Sequence, residues 1–276
     1  MPAFICTACA SQFSPTDQSP SECPICLDER QFVPPSGQSW TTLDALARRH
    51  FNSYRQHEPD LIGIGTVPQF AIGQRALLVR TPQGNLLWDC IALVDAATIE
   101  IVKGLGGLIG IAISHPHYYS TMVEWSRALG GVPIHLHAAD RQWVMRPDPV
   151  IRFWDGDTLA LPGGLTLIRC GGHFAGGTVL HWAGSGAGQG ALLTGDILQL
   201  IGDRRYVSFM RSYPNMIPLS APAVVRIGAM LEPFSFDVLY GAFFDRVVPQ
   251  GGQEAVKRSI ARYIAAIQGD GTAELQ

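Results

Sequence analysis

The run Leu-Ile-Gly-Ile-Ala-Ile-Ser, residues 108–114, is apolar almost throughout and carries no charge. A strand of that composition is buried on both faces, so the sheet that holds it must be covered on each side. It is too short and too glycine-broken to span a membrane. The run ends in His115-Pro116-His117, followed by Tyr118, Tyr119 and Ser120. If the extended conformation persists through Pro116, both imidazoles leave the same face and can share one metal ion. Taken alone, the pair fits three readings: a functioning metal site, a crippled one, or a strand end that happens to carry histidines.

Leu43, Leu46, Ala47, Phe51 and Tyr54 recur at helical spacing and predict a helix capped by Thr41 or Thr42, with His50 and His57 in it and at its exit. RALLVRT, the turn PQGN and LLWDC predict a hairpin, and a helix is expected over 92–103. Met122, Trp125 and Leu129 form one apolar helical face just after the histidines. Strands are predicted at VPIHLH, TLAL, LTLIRC, TVLHW, ALLTGD and FDVLYG, and helices at PAVVRIGAML and EAVKRSIARYIAAI. Strands and helices are interspersed, which predicts an α+β chain of sheets covered by helices.

At 276 residues the chain fits one large domain, or one domain with a small module. Hydrophobic residues make up 47%, charged ones only 16%, and the formal net charge is −3, which argues against a nucleic-acid surface. No apolar run reaches membrane-spanning length. MPAFICTAC lacks a basic start followed by an apolar stretch, so it does not read as an export signal, and a cytoplasmic protein is expected.

Four of the six cysteines lie near the N-terminus, Cys6, Cys9, Cys23 and Cys26, in a C-x2-C-x13-C-x2-C pattern. Each two-residue gap lets both thiolates of a tight turn face one point, and two such turns close a tetrahedron suited to structural zinc. Two disulfides or an iron site are the alternatives, and reduced surroundings favour zinc. The segment resembles a zinc ribbon. The expected organisation is a ribbon over 1–33, a linker over 34–40 rich in Pro, Gly and Ser, and a main domain over 41–276. A site closed by four thiolates has no open position for substrate, so the ribbon is expected to be structural or to dock a protein partner.

Two further groups join the paired histidines. His173 sits in the glycine-rich CGGHFAGG, and Asp196 ends the strand ALLTGD, where an unpaired carboxylate is costly. In this order HPH, GGHFAGG and LLTGD, preceded by LLWDC with Asp89, resemble the metallo-β-lactamase superfamily from about residue 60 to the C-terminus. The resemblance implies an αββα sandwich with metal at one edge between the two sheets. It also implies that His115, His117 and His173 hold one metal, that Asp196 completes or bridges the site, and that Asp89 orients a ligand. The superfamily motif H-x-H-x-D-H has Tyr119 and Ser120 here in place of its aspartate and last histidine, and Gly241 is followed by Ala242 rather than a histidine. Three usual ligands of a second metal are missing, so one zinc or iron is expected.

Three imidazoles and an open position are the set that makes a hydroxide from water on zinc near neutral pH. The leading expectation is therefore a mononuclear hydrolase of a small ester, lactone, thioester or amide-like substrate. Asp196 would handle the water, and Tyr119 would donate to the developing oxyanion or bind substrate. Tyr118 is expected to fill the vacated second-metal space and touch substrate, and Arg211 to bind an organic anion. Arg204 and Arg205 are read as solvated. His135, His137 and Asp140 in IHLHAAD are read as a strand end and helix cap, with His137 near the pocket; His181 is a strand histidine, Cys170 a packed thiol and Cys90 core. Two other functions stay open: a mononuclear iron oxidoreductase resembling the sulfur dioxygenases, and a non-catalytic, metal-stabilised binding protein.

Overall fold

The computed structural model describes residues 1–185 and 188–269; the last residues of the expected main domain, 270–276, lie outside the described residues. β1 (Ile5–Cys6) and the short α1 (Pro24–Leu27) carry the cysteines, and β1 pairs antiparallel with β2 (Trp40–Thr41). α2 (Leu43–Ala47) begins at Thr42, whose hydroxyl accepts from the Ala45 amide.

Here the structure departs from the expected helix. The chain leaves α2 after Ala47, and β3 (Phe51–Glu58) pairs with β4 (Leu61–Val67) from Phe51↔Val67 to Glu58↔Leu61. The apparent helical stripe is not a buried one, since Phe51 and Tyr54 are 61% and 39% exposed. Asn52 is the buried residue of that stretch, and its amide donates to the Leu93 carbonyl and to Thr98. A long antiparallel partner outweighs a weak local preference. His57 thus stands on a strand, not at a helix exit.

β5 (Ala76–Val79) and β6 (Leu86–Trp88) form the expected hairpin. α3 (Ala96–Gly104) starts later than expected because Asp95 caps it, accepting from the Thr98 amide at 2.7 Å. The buried run contributes only β7 (Gly110–Ala112), followed by α4 (Met122–Ala128), β8 (Ile134–His137) and β9 (Ile151–Trp154). Together β3 to β9 make a seven-stranded sheet in sequence order, antiparallel up to β6 and parallel beyond it.

The second sheet has the order β10 (Thr158–Leu161), β11 (Leu165–Arg169), β12 (Thr178–Trp182), β13 (Ala191–Gly195), β18 (Val238–Gly241) and β19 (Val247–Val248). Two short hairpins, β14 (Gln199–Leu200) with β15 (Val207–Ser208) and β16 (Met210–Ser212) with β17 (Ile217–Pro218), follow Asp196. α5 (Ala221–Leu231) leads to β18 (Val238–Gly241), which pairs parallel with β13; β19 (Val247–Val248) and α6 (Gly252–Gln268) close the chain.

Strand alternation explains the layers. Leu77, Val79, Leu86 and Trp88 face Leu165, Leu167, Leu180 and Leu193 of the other sheet, and their neighbours Ala76, Leu78 and Leu87 face outward. That outer face is covered by Val102 of α3 and Met122, Val123 and Trp125 of α4. Val224, Ile227 and Leu231 of α5 and Val256 and Ile260 of α6 cover the second sheet. The result is the expected αββα sandwich, with helices outside and sheets face to face. Among the described residues no helix is long and apolar enough to cross a membrane.

Candidate metal centre

The Cys6, Cys9, Cys23 and Cys26 thiols are all buried and none is in a disulfide. Zinc–sulfur bonds near 2.3 Å give a tetrahedron with edges of about 3.8 Å. The Cys6–Cys26 and Cys9–Cys23 sulfurs are 3.6 and 3.7 Å apart, so the four thiols fit one such ion. The ribbon is not a free appendage. Its cysteines pack with Trp40, Ile72, Trp143 and Met145.

The second cluster forms where the two sheets meet. His115 remains extended, but Pro116 starts a 3-10 turn through Tyr118, so the strand does not run through the motif as the sequence suggests. The proline ring presets the turn geometry. His117 therefore reaches the site from a turn rather than by strand alternation. His173 is held in the loop after β11, and Asp196 directly follows β13. Ligand atoms of His115, His117, His173 and Asp196 all lie within 4.8 Å of one another. Among the described residues these four and the four cysteines are the groups of His, Cys, Asp and Glu that can hold a metal ion.

The distances test the fit. Metal–imidazole bonds of about 2.0–2.1 Å give a tetrahedral edge of about 3.3–3.4 Å. His173 Nε2 lies 3.3 Å from His117 Nδ1. Asp196 Oδ2 is 3.8 Å from His115 Nε2, at the margin of the three-nitrogen face. His115 Nε2 and Asp196 Oδ1 are buried without a hydrogen-bond partner, a costly arrangement that a shared cation relieves.

Neighbours orient the rings. His173 Nδ1 donates to the Met210 carbonyl at 3.2 Å, which leaves Nε2 for the cluster. The Ser114 hydroxyl and amide donate to Asp89 Oδ1, each at 2.8 Å, and the same hydroxyl lies 2.8 Å from His115 Nδ1. Asp89 thus acts on His115 through Ser114. Burial drives the His115 and His117 pKa values well down and that of His173 to about 4, keeping the imidazoles neutral, as ligands must be. Burial pushes Asp196 up to about 6 and Asp89 to about 7.

The two tyrosines separate. Tyr118 faces Asp196, and burial followed by that carboxylate pushes its pKa well up. Tyr119 is not at the cluster. It lines a water-sized cavity of about 10 Å³ with Ser11, Gln12 and Ser120. Ser120 and Ala242, at two of the missing second-metal positions, are buried and bring no ligand. Arg211 is also elsewhere, donating to Glu29 at 2.5 Å and not lining the histidine pocket. His137 caps the turn after β8 and bonds the Gly156 carbonyl, outside the site. His181 bonds the Ser235 carbonyl.

A cavity of about 230 Å³ opens onto His117, His173 and Asp196. Ile72, Pro214, Phe243 and Phe32 give it apolar walls, and Gln31, Gln199 and Tyr213 give it polar ones. Tyr213 donates to the Asp196 carbonyl at 3.0 Å. Sequence reasoning missed Arg30, Gln31 and Phe32 here. Their one signal was adjacency to the last ribbon cysteine.

The uncharacterized protein YmaE of Bacillus subtilis (strain 168) is 47% identical over 272 residues, 98% of each chain. The chain belongs to the YmaE family. No protein-family model matches it. Among solved structures, the DIM-1 metallo-β-lactamase exposed to ceftazidime superposes with a TM-score of 0.59 at 12% identity, over 78% of this chain and 97% of that one. TMB-1 gives 0.58 at 12%, over 78% and 98%, and VMB-1 at pH 5.5 gives 0.57 at 11%, also over 78% and 98%. The chain therefore has the metallo-β-lactamase fold, preceded by a ribbon with four cysteines.

Proposed function

We propose that this YmaE-family protein is a hydrolase with one metal ion at the histidine cluster, acting on a small ester, lactone, thioester or amide-like substrate. The observation that carries this reading is the convergence of three buried neutral imidazoles and a carboxylate, of which His117, His173 and Asp196 line a cavity. A divalent ion held there supplies Lewis acidity for a carbonyl and acidifies water. His115, His117 and His173 are the residues suited to hold it, with Asp196 at their margin. Asp196 Oδ1, which has no protein partner, is placed to take the proton of the attacking water. In this reading the Tyr118 hydroxyl, fully buried against Asp196, orients that carboxylate rather than taking the oxyanion role the sequence suggested for Tyr119. Ile72, Phe32, Pro214 and Phe243 suit a short apolar acyl group and limit access of bulk water.

The absence of second-metal ligands at Tyr119, Ser120 and Ala242 supports one ion rather than two. Elemental analysis of the full chain is expected to find two ions per chain, one at each cluster, and His115→Ala to lose one of them. On an ester, lactone and thioester panel, metal-replete protein should turn over at least one substrate, and His115→Ala should cut that rate on the order of a hundredfold or more. No turnover across the panel, with His115→Ala retaining both ions, refutes the proposal.

A further inference from the structure

The ribbon forms one wall of the histidine cavity. Ala8 from its first cysteine turn and Arg30, Gln31 and Phe32 just past its second line the same space as His117, His173 and Asp196. Arg30 is the joint between them. It is 8% exposed, and its guanidinium carbon lies 3.9 Å from the Phe174 ring centre and 5.1 Å from that of Trp143. Its Nη1 donates to the His173 carbonyl at 3.4 Å. Nε and Nη2 donate to the two Asp28 oxygens at 2.5 and 2.8 Å. This two-point pair fixes the plane of the fork, and Asp28 offsets a charge that would repel a cation among the histidines. Arg30 therefore grips the peptide of one imidazole and the ring that follows it.

The Arg30 segment is fixed at both ends. Ser212 Oγ donates to the Arg30 carbonyl at 3.2 Å, and Asn215 Nδ2 donates to the Glu29 and Gln31 carbonyls at 2.9 and 3.0 Å. Its upstream anchor is Cys26 on the four-residue α1. A helix of that length does not stand alone, so it depends on the closed thiolate cluster.

We propose that Arg30 is a positioning residue for His173, and that through it occupancy of the four-cysteine site sets the cation affinity of the histidine site. The inference rests on the metal reading of the histidine cluster. Losing the ion from the thiolates frees residues 28–32, withdraws Arg30 from the His173 carbonyl and loosens the three-imidazole face.

The test uses the full chain with cobalt(II) at both clusters, where thiolate charge-transfer bands report the ribbon and weaker ligand-field bands report the histidines. Chelator competition measures histidine-site affinity in wild type, Arg30→Ala, Cys26→Ser, the double variant and the exposed control Arg48→Ala. Arg30→Ala is expected to weaken the histidine site about 10- to 100-fold, the usual effect of removing a group that orients a ligand, with the thiolate bands unchanged. Cys26→Ser should weaken it similarly, and the double variant should add little to either single change. Should Cys26→Ser fail to fold, stripping the thiolate ion from folded wild type and Arg30→Ala with an organomercurial makes the same comparison. Wild-type affinity in Arg30→Ala overturns the inference, as does an equal effect of ribbon loss with and without that change. A wild-type histidine site that takes no cobalt overturns the metal reading itself, and the inference with it.

Discussion

Asp140 offers a quantitative check on the packing behind His173. It lies in the turn after β8 and is 1% exposed, and its Oδ1 accepts from the Gly176 amide at 2.9 Å in the loop that carries the ligand. Burial lifts its pKa from 3.8 to about 6, against smaller opposing effects of the Gly176 hydrogen bond and of Arg30 and Arg169. That difference corresponds to about 3 kcal/mol. Because the folded pKa is raised, the folded state binds more protons than the unfolded one between the two values. The carboxyl costs nothing below the unfolded pKa, and its stability penalty grows as pH rises through about 6. Asp140→Asn removes the charge, nearly preserves shape and keeps an oxygen for the Gly176 amide. Urea unfolding of wild type and variant at pH 4 and pH 8 gives two stability differences. Subtraction cancels the pH-independent packing effect of asparagine and the titration of the other groups. The variant is expected to gain about 2–3 kcal/mol relative to wild type between the lower and the higher pH. The same stability difference at both pH values would mean that Asp140 carries no burial penalty, and the electrostatic account of this loop would be wrong.

Ser114→Ala breaks the link from Asp89 to His115, and chelator competition should show the histidine site weakened by about 10-fold or more while the ribbon keeps its ion. Gly177→Ala puts a Cβ 2.8 Å from the Gly171 carbonyl and 2.7 Å from Ile197. Thermal unfolding should register a loss of about 1–3 kcal/mol, together with weaker metal binding because the clash lies in the His173 loop; an unchanged midpoint refutes the close approach.

The candidate histidine cluster was legible because its residues sit in short local motifs: paired histidines after an apolar strand, a histidine among glycines, an aspartate after a second buried strand. The tetrathiolate spacing was legible for the same reason. What misled was local periodicity without knowledge of partners. Phe51 and Tyr54 continue a helical stripe on paper, yet the segment is drawn into β3 by seven antiparallel pairs with β4. The same-face geometry of the two histidines depended on an extended Pro116, and proline instead opens a turn there. The exchange between adjacent tyrosines follows from that one turn, since the conformation of Pro116–Tyr118 decides which ring reaches the cluster. Arg30 was beyond reach, because its contact with His173 spans 143 positions and nothing near Arg30 encodes it.

That long reach also dictates an order of assembly. A ribosome releases the amino end first, and the cysteine segment can close on its ion as soon as it emerges. The groups it covers are made later: Trp143, His173 and Phe174 come more than a hundred residues on, and its anchor Asn215 later still. Until Trp143, His173 and Phe174 follow, the Arg30 fork has Asp28 as its neighbour. The clasp can thus be finished before the histidine loop it fastens exists.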